Sequence, residues 1–141
     1  MQTFVPLPDY HKSMRCLHPR WHLGNQVWRE GITLIRGGWP HHPASKMWRG
    51  HEYHLGLYLL AGCDVLLERK GKDYTEVRRK IEAEMTRFQD TGAPAWIGND
   101  AFHASHRSNL LRKYPDWYGQ FGWSESNDLP YIWPVQNKSN V

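Results

Sequence analysis

Two cysteines in 141 residues, Cys16 and Cys63, lie far apart and form no C-x-x-C pair, which excludes a disulfide framework and a dithiol redox motif. Both are expected as buried thiols in a reducing compartment. Long apolar runs are also missing. The longest, Leu55 to Leu67, carries Asp64 and falls short of the roughly 20 residues that cross a bilayer. The opening Met1-Gln2-Thr3-Phe4-Val5-Pro6 lacks the basic-then-apolar pattern of a signal peptide, so the expectation is a cytoplasmic protein without membrane contact. No Gly-rich phosphate loop, G-x-S-x-G elbow or Cys/His nucleophile signature occurs, which argues against NTPase and serine hydrolase chemistry. Histidines pair as His18/His22, His51/His54 and His103/His106, but none of the zinc spacings, H-E-x-x-H included, is present. No metal and no other cofactor is expected.

Charge is in modest supply: Lys+Arg 18 against Asp+Glu 14 gives +4. The excess is N-terminal, since residues 1–56 hold 7 basic and 3 acidic side chains while residues 57–92 hold 7 of each and 93–141 hold 4 of each. What the chain has in abundance is rings: 8 Trp, 7 Tyr, 4 Phe and 9 His. With 40% hydrophobic residues, and about 70% of unfolded surface buried at this size, it needs no metal or disulfide staple. The expectation is one domain over residues 1–141, with about 136–141 a frayed tail.

The pattern predicts a mainly α protein, a compact helical bundle with long Pro/Gly-rich loops and an aromatic C-terminal segment. Pro6 and Pro8 keep the opening extended, and Asp9 caps a short helix through Cys16 or Leu17. Leu23, Val27, Ile32, Leu34 and Ile35 are only roughly helical in spacing, with Gly24 and Gly31 as weak points, and give a helix over about 20–36. Gly37 to Pro43 is a loop. From Ala44 to about Lys70 the apolar residues are dense all round, as in a buried central helix. Val77, Ile81, Met85 and Phe88 mark an amphipathic helix over Thr75–Phe88 with a solvated, sign-alternating outer face. Asn99 or Asp100 caps a helix to about Lys113, and the remainder lies across the helices.

Two constellations carry candidate chemistry. His103, His106, Arg107, Arg112 and Lys113 have no acid among them, which suits phosphate, unless the helix simply wets a basic face. Directly after them, Pro115-Asp116-Trp117-Tyr118-Gly119-Gln120-Phe121-Gly122-Trp123 sets four rings around two glycines. Trp117 and Tyr118 are candidates for stacking bases, and the same rings also serve to close a core. Trp48, Trp96 and Trp133 are expected mainly in packing.

The blocks His22-Leu23-Gly24-Asn25-Gln26, His42-Pro43-Ala44-Ser45-Lys46-Met47-Trp48-Arg49-Gly50, Phe102-His103-Ala104-Ser105-His106-Arg107 and Leu129-Pro130-Tyr131-Ile132-Trp133-Pro134 resemble the bacterial and phage branch of the pyrimidine-dimer DNA glycosylase (endonuclease V type) family. Pro115-x-Trp117-Tyr118-x-x-Phe121-Gly122 resembles that family's Pro-x-Trp-Tyr-x-x-Tyr-Gly, and the likeness covers nearly the whole chain. The resemblance implies a helical domain that flips a nucleotide out of duplex DNA, attacks the sugar with its N-terminal α-amine and cleaves the strand through a Schiff base. It implies Met1 as nucleophile, His22 in the site and a glutamate as acid/base.

In the family the glutamate follows the His of His-Leu by seven residues. Here that count reaches Arg29, and Glu30 is next; in an α-helix one residue is about 100° of turn. Thr3 stands where the family has an arginine, and bulky Gln2 favours retention of Met1; if Met1 were removed, Gln2 could cyclise and block the amine. The candidate site is therefore Met1, Glu30 and His22 for catalysis. Gln26, Arg29, Arg49, His51, His103, His106, Arg107, Lys113, Trp117 and Tyr118 are the candidates for holding DNA. Two alternatives stand beside a glycosylase and AP lyase. One is a non-catalytic DNA- or nucleotide-binding protein of the same fold. The other is an enzyme acting on a free nucleotide or modified nucleobase through Glu30, or Glu52 with His51.

Overall fold

The computed structural model describes residues 3–71 and 73–134, and among them every regular element is helical. Met1 and the expected frayed tail lie outside the described residues. Residues 3–6 run extended and buried, with Thr3 and Val5 fully shielded from solvent. Helix α1, Tyr10–Cys16, starts where the Asp9 side chain accepts from the Lys12 N–H at 2.8 Å.

The next helix differs from expectation in its winding. Pro19–Leu23 and Asn25–Gly31 are π-helical, with α2, Ile32–Ile35, completing the run. This explains the poor fit to a 3.6-residue period: Leu23, Val27 and Ile32 step by 4 and 5, the spacing of an i→i+5 winding. Gly31 is required here. A Cβ on it would lie 2.2 Å from the Leu59 side chain and 2.5 Å from the Gln26 carbonyl oxygen.

The expected central helix over 44–70 is two helices. Pro43 opens α3, Pro43–Trp48, capped by the His42 ring, which accepts from the Ala44 N–H at 3.0 Å. Gly50, at φ +86°, then turns the chain into α4, Glu52–Lys70. Helix α4 is the axis of the molecule: α1, α3, the π-helical run, α2 and α5 (Thr75–Met85) all rest on it. Gly62 lets this happen, because a Cβ there would meet Val27 at 2.3 Å and Met14 at 3.0 Å. Helix α5 ends at Met85 rather than Phe88, with Ile81 and Met85 buried and its charged face outward.

Asn99 caps α6, Asp100–Lys113, by accepting from the Phe102 N–H at 3.1 Å. A short α7, Pro115–Tyr118, and a 3-10 turn, Gly119–Phe121, lead into extended residues 122–134. This stretch crosses α6: Leu129 N–H donates to Ser108 Oγ at 3.0 Å and Ile132 N–H to Ser105 Oγ at 3.2 Å. Trp48 and Trp96 meet edge to face in the core, ring centres 4.9 Å apart. Both cysteines are buried free thiols. Among the described residues no helix is long and apolar enough to cross a membrane.

Candidate active site

Two α-turns use about seven residues and two π-turns about eight. The π-helical run therefore returns to the same face eight residues after His22. Glu30, and not Arg29, shares a cleft with His22 and Gln26, while Arg29 is exposed. The cleft is about 170 Å³ in volume and is completed by Phe4, Trp21, Asn25 and, from the end of α6, Lys113.

His22 is held from behind. Its Nδ1 lies 2.5 Å from the Tyr118 hydroxyl, and the same oxygen accepts the His18 N–H at 3.0 Å. Burial, with the nearby His18 and Lys113 charges, pushes the His22 pKa down to about 4, so the ring is neutral at neutral pH. Burial likewise keeps His42 below its ordinary value, against an opposing pull from Glu30, whose charge reaches across from the cleft.

Gln26 turns its amide onto the extended N-terminal segment. Its Oε1 accepts the Phe4 N–H at 2.7 Å and its Nε2 donates to the Phe4 carbonyl at 3.2 Å, and to the Tyr58 hydroxyl at 3.1 Å. Tyr58 also donates to the Phe4 carbonyl. Trp48 Nε1 donates to the Thr3 hydroxyl at 3.0 Å.

Helix α6 does the same from the other side, which corrects the expectation of an exposed basic face. His106 is fully buried, and its Nδ1 accepts the Val5 N–H at 2.9 Å. His103 donates from Nδ1 to the Val5 carbonyl at 2.8 Å and accepts the Gly98 N–H on Nε2 at 2.9 Å. The two rings thus satisfy both backbone groups of Val5 with opposite tautomers, as a neighbouring strand would. Burial lowers both pKa values, that of His106 to about 3. Arg107 donates to the Pro6 carbonyl at 2.9 Å and is paired by Glu125 at 2.8 and 3.1 Å and by Asp100 at 3.3 Å. Its charge is spent inside.

The aromatic pair is also turned inward. Tyr118 is fully buried, and Trp117, half-buried, donates from Nε1 to the Cys16 carbonyl at 2.7 Å. Arg49 and His51 line a separate hollow of about 100 Å³ beside Met47 and Trp96. There Arg49 donates to the Pro40 carbonyl.

The structure thus brings together His22, Gln26, Glu30 and Lys113, and places Arg49, His51, His103, His106, Arg107, Trp117 and Tyr118 outside the cleft lining. The cleft residues that sequence reasoning missed are Phe4, Trp21 and Asn25. Trp21 is 48% exposed, with the Arg20 guanidinium 4.8 Å over its ring. A signal was available: His18, His22, Gln26 and Glu30 recur every four residues, and Trp21 with Asn25 run alongside. Among the described residues no three His, Cys, Asp or Glu side chains converge as metal ligands.

The family model described as pyrimidine dimer DNA glycosylase matches residues 1–79, a stretch that contains the Trp21, His22, Asn25, Gln26 and Glu30 side of the cleft but not Lys113 or Tyr118. No curated protein and no solved structure matches.

Proposed function

Because the chain belongs to the pyrimidine dimer DNA glycosylase family, we propose that it excises a damaged pyrimidine from duplex DNA, with the Met1 α-amine as nucleophile and Glu30 as acid/base. The observation that carries this reading is the shared cleft of Glu30, His22 and Gln26. Gln26, at the cleft, grips the backbone of Phe4, three residues along the chain from the amine, which supports the reading.

An α-amine with pKa near 8 is partly neutral at physiological pH and is a competent nucleophile. In the proposed reaction it bonds to C1′ of the damaged nucleotide. Glu30 takes up the amine proton and balances the positive charge of the opening sugar. The resulting Schiff base acidifies the C2′ hydrogen, and β-elimination then breaks the strand on the 3′ side. Lys113 at the cleft and Arg20 beside Trp21 are suited to phosphate, and the exposed Trp21 ring to a base face.

The non-catalytic reading loses its motivating features. Arginine at position 29 and a basic-aromatic surface at 103–118 were the grounds for a non-catalytic binder; Glu30 reaches the cleft instead, and residues 103, 106, 107 and 118 are buried. Incubation with duplex DNA holding a thymine dimer or an abasic site, followed by borohydride, tests the proposal. A covalent adduct that falls on the order of 100-fold in Glu30→Gln supports it, and no adduct with the unaltered protein overturns it.

A further inference from the structure

We propose that His22 is a fixed neutral hydrogen-bond donor, its Nε2–H meeting the O2 carbonyl of the departing pyrimidine, and that Tyr118 is the positioning residue that sets its tautomer. The inference rests on the glycosylase reading above and adds to it a role for the leaving base.

The tautomer follows from counting protons. The Tyr118 hydroxyl has one hydrogen. Its oxygen accepts the His18 N–H at 3.0 Å, so the hydrogen is free to donate to His22 Nδ1, 2.5 Å away. A neutral imidazole that accepts on Nδ1 carries its proton on Nε2. Tyr118 is fully buried and its ring stacks with that of His22 at a 27° interplanar angle, so the pair has little room to rearrange. The hydrogen bond that His22 makes runs through Nδ1, and the ring lines the same cleft as Glu30.

Burial decides for the uncharged ring, and the neighbours that act with it outweigh the one acid at the cleft. His18 from the first π-helical stretch and Lys113 from α6 add to burial in pushing its pKa down. Tyr118 itself is raised well above the ordinary tyrosine value by burial, and so keeps its hydrogen. Glu30, on the same run, is the one acid at the cleft.

A neutral donor has a definite use when a glycosidic bond breaks. The amine lone pair forms the bond to C1′, the C1′–N1 bond breaks, and its electron pair passes to the pyrimidine and spreads onto O2. A preset N–H at that oxygen stabilises the developing anion without transferring a proton. The pyrimidine, freed from its sugar and still joined to its dimer partner, then takes its proton from water. An imidazole near pKa 4 gains no proton and offers no positive charge to repel the attacking amine's partner, the cationic sugar.

Two measurements test this. In long-range proton–nitrogen spectra of the intact protein at pH 6 to 8, His22 is expected to show a protonated Nε2 and a bare Nδ1. Tyr118→Phe is expected to move it toward a tautomer mixture. An Nδ1-protonated His22 in the unaltered protein overturns the proposal. Kinetically, His22→Gln and Tyr118→Phe are compared on dimer-containing duplex and on duplex with a preformed abasic site, which has no base to lose. Breakage of the C1′–N1 bond, read as free thymine after photoreversal of the dimer, is expected to fall about 100-fold for His22→Gln, the cost of one such donor, and cleavage at the abasic site by much less. Equal losses on both substrates overturn the leaving-base role. Absence of any Schiff-base adduct in the unaltered protein sinks the glycosylase reading itself, a result the tautomer spectrum does not share.

Discussion

The side-chain amide of Gln26 closes a ring on the backbone of Phe4, accepting its N–H at 2.7 Å and donating to its carbonyl at 3.2 Å. A single side chain thereby stands in for a β-strand partner. It belongs to the same π-helical stretch as Glu30, so the acid and the segment leading to the amine share one support.

Replacing Gln26 by Leu leaves the Phe4 N–H buried without an acceptor. The expected cost is about 2 kcal/mol of stability, read as a lower denaturant midpoint at unchanged slope. Adduct formation should fall by more than the stability loss explains, because the amine's tether is loosened. A variant with normal trapping would show that the Gln26 grip does not position the amine.

The π winding makes a distinctive prediction for deletions. Removing the exposed Arg29 shortens the His22-to-acid spacing to seven residues, which suits two α-turns. The deletion should relax the π-helical run to α-helix and leave the glutamate in the cleft, with trapping within about tenfold of Arg29→Ala. Inserting an alanine after Arg29 should move the glutamate off the face and abolish trapping. If the deletion were as damaging as the insertion, the π-turns would not be what re-aims Glu30.

Stability should depend on pH above the carboxylate range. Folded His106 binds its proton only near pH 3 and folded His22 near pH 4, both chiefly through burial, whereas the unfolded chain protonates them near pH 6.5. The unfolded state binds more protons in between, so stability is complete above pH 6.5 and is lost as pH falls toward the folded values. The slope is at most about 1.4 kcal/mol per pH unit per histidine, with His22 contributing less because it is partly exposed. Denaturant unfolding at pH 7, 6 and 5 should show this loss, reduced in His106→Asn; a flat response across that range would contradict the buried neutral rings.

Trp21 and Trp117 should separate binding from folding. Trp21→Ala removes a half-exposed ring at the cleft and should weaken binding to dimer-containing duplex by about 1–3 kcal/mol with little change in stability. Trp117→Ala removes a ring bonded to the Cys16 carbonyl and should lower stability instead. Titration of fluorescent duplex alongside thermal melts distinguishes the two, and the reverse pattern would return the stacking role to the C-terminal rings.

These assignments mark how far the sequence could be read. Asp9 and Asn99 were legible as caps because capping is local chemistry, and Val77, Ile81 and Met85 marked α5 by period alone. His103, His106 and Arg107 were read as a nucleic-acid face because their partners, Val5 and Pro6, lie about a hundred residues away in the chain. Nothing local distinguishes a basic helix that wets its charges from one that spends them on a buried strand. Glu30 looked misplaced because the count assumed α-helical turns. The five-residue step from Val27 to Ile32 was the signal that they were wider.

The central claim is that the Met1 amine attacks the sugar with Glu30 beside it, although Lys113 offers a second amine at the same cleft. Borohydride trapping on an abasic duplex, followed by proteolysis and mass mapping of the adduct, separates them. The account predicts the adduct on Met1, lost when the N-terminus is acetylated and sharply reduced in Glu30→Gln. An adduct on Lys113, or one that survives acetylation of the N-terminus, would contradict it.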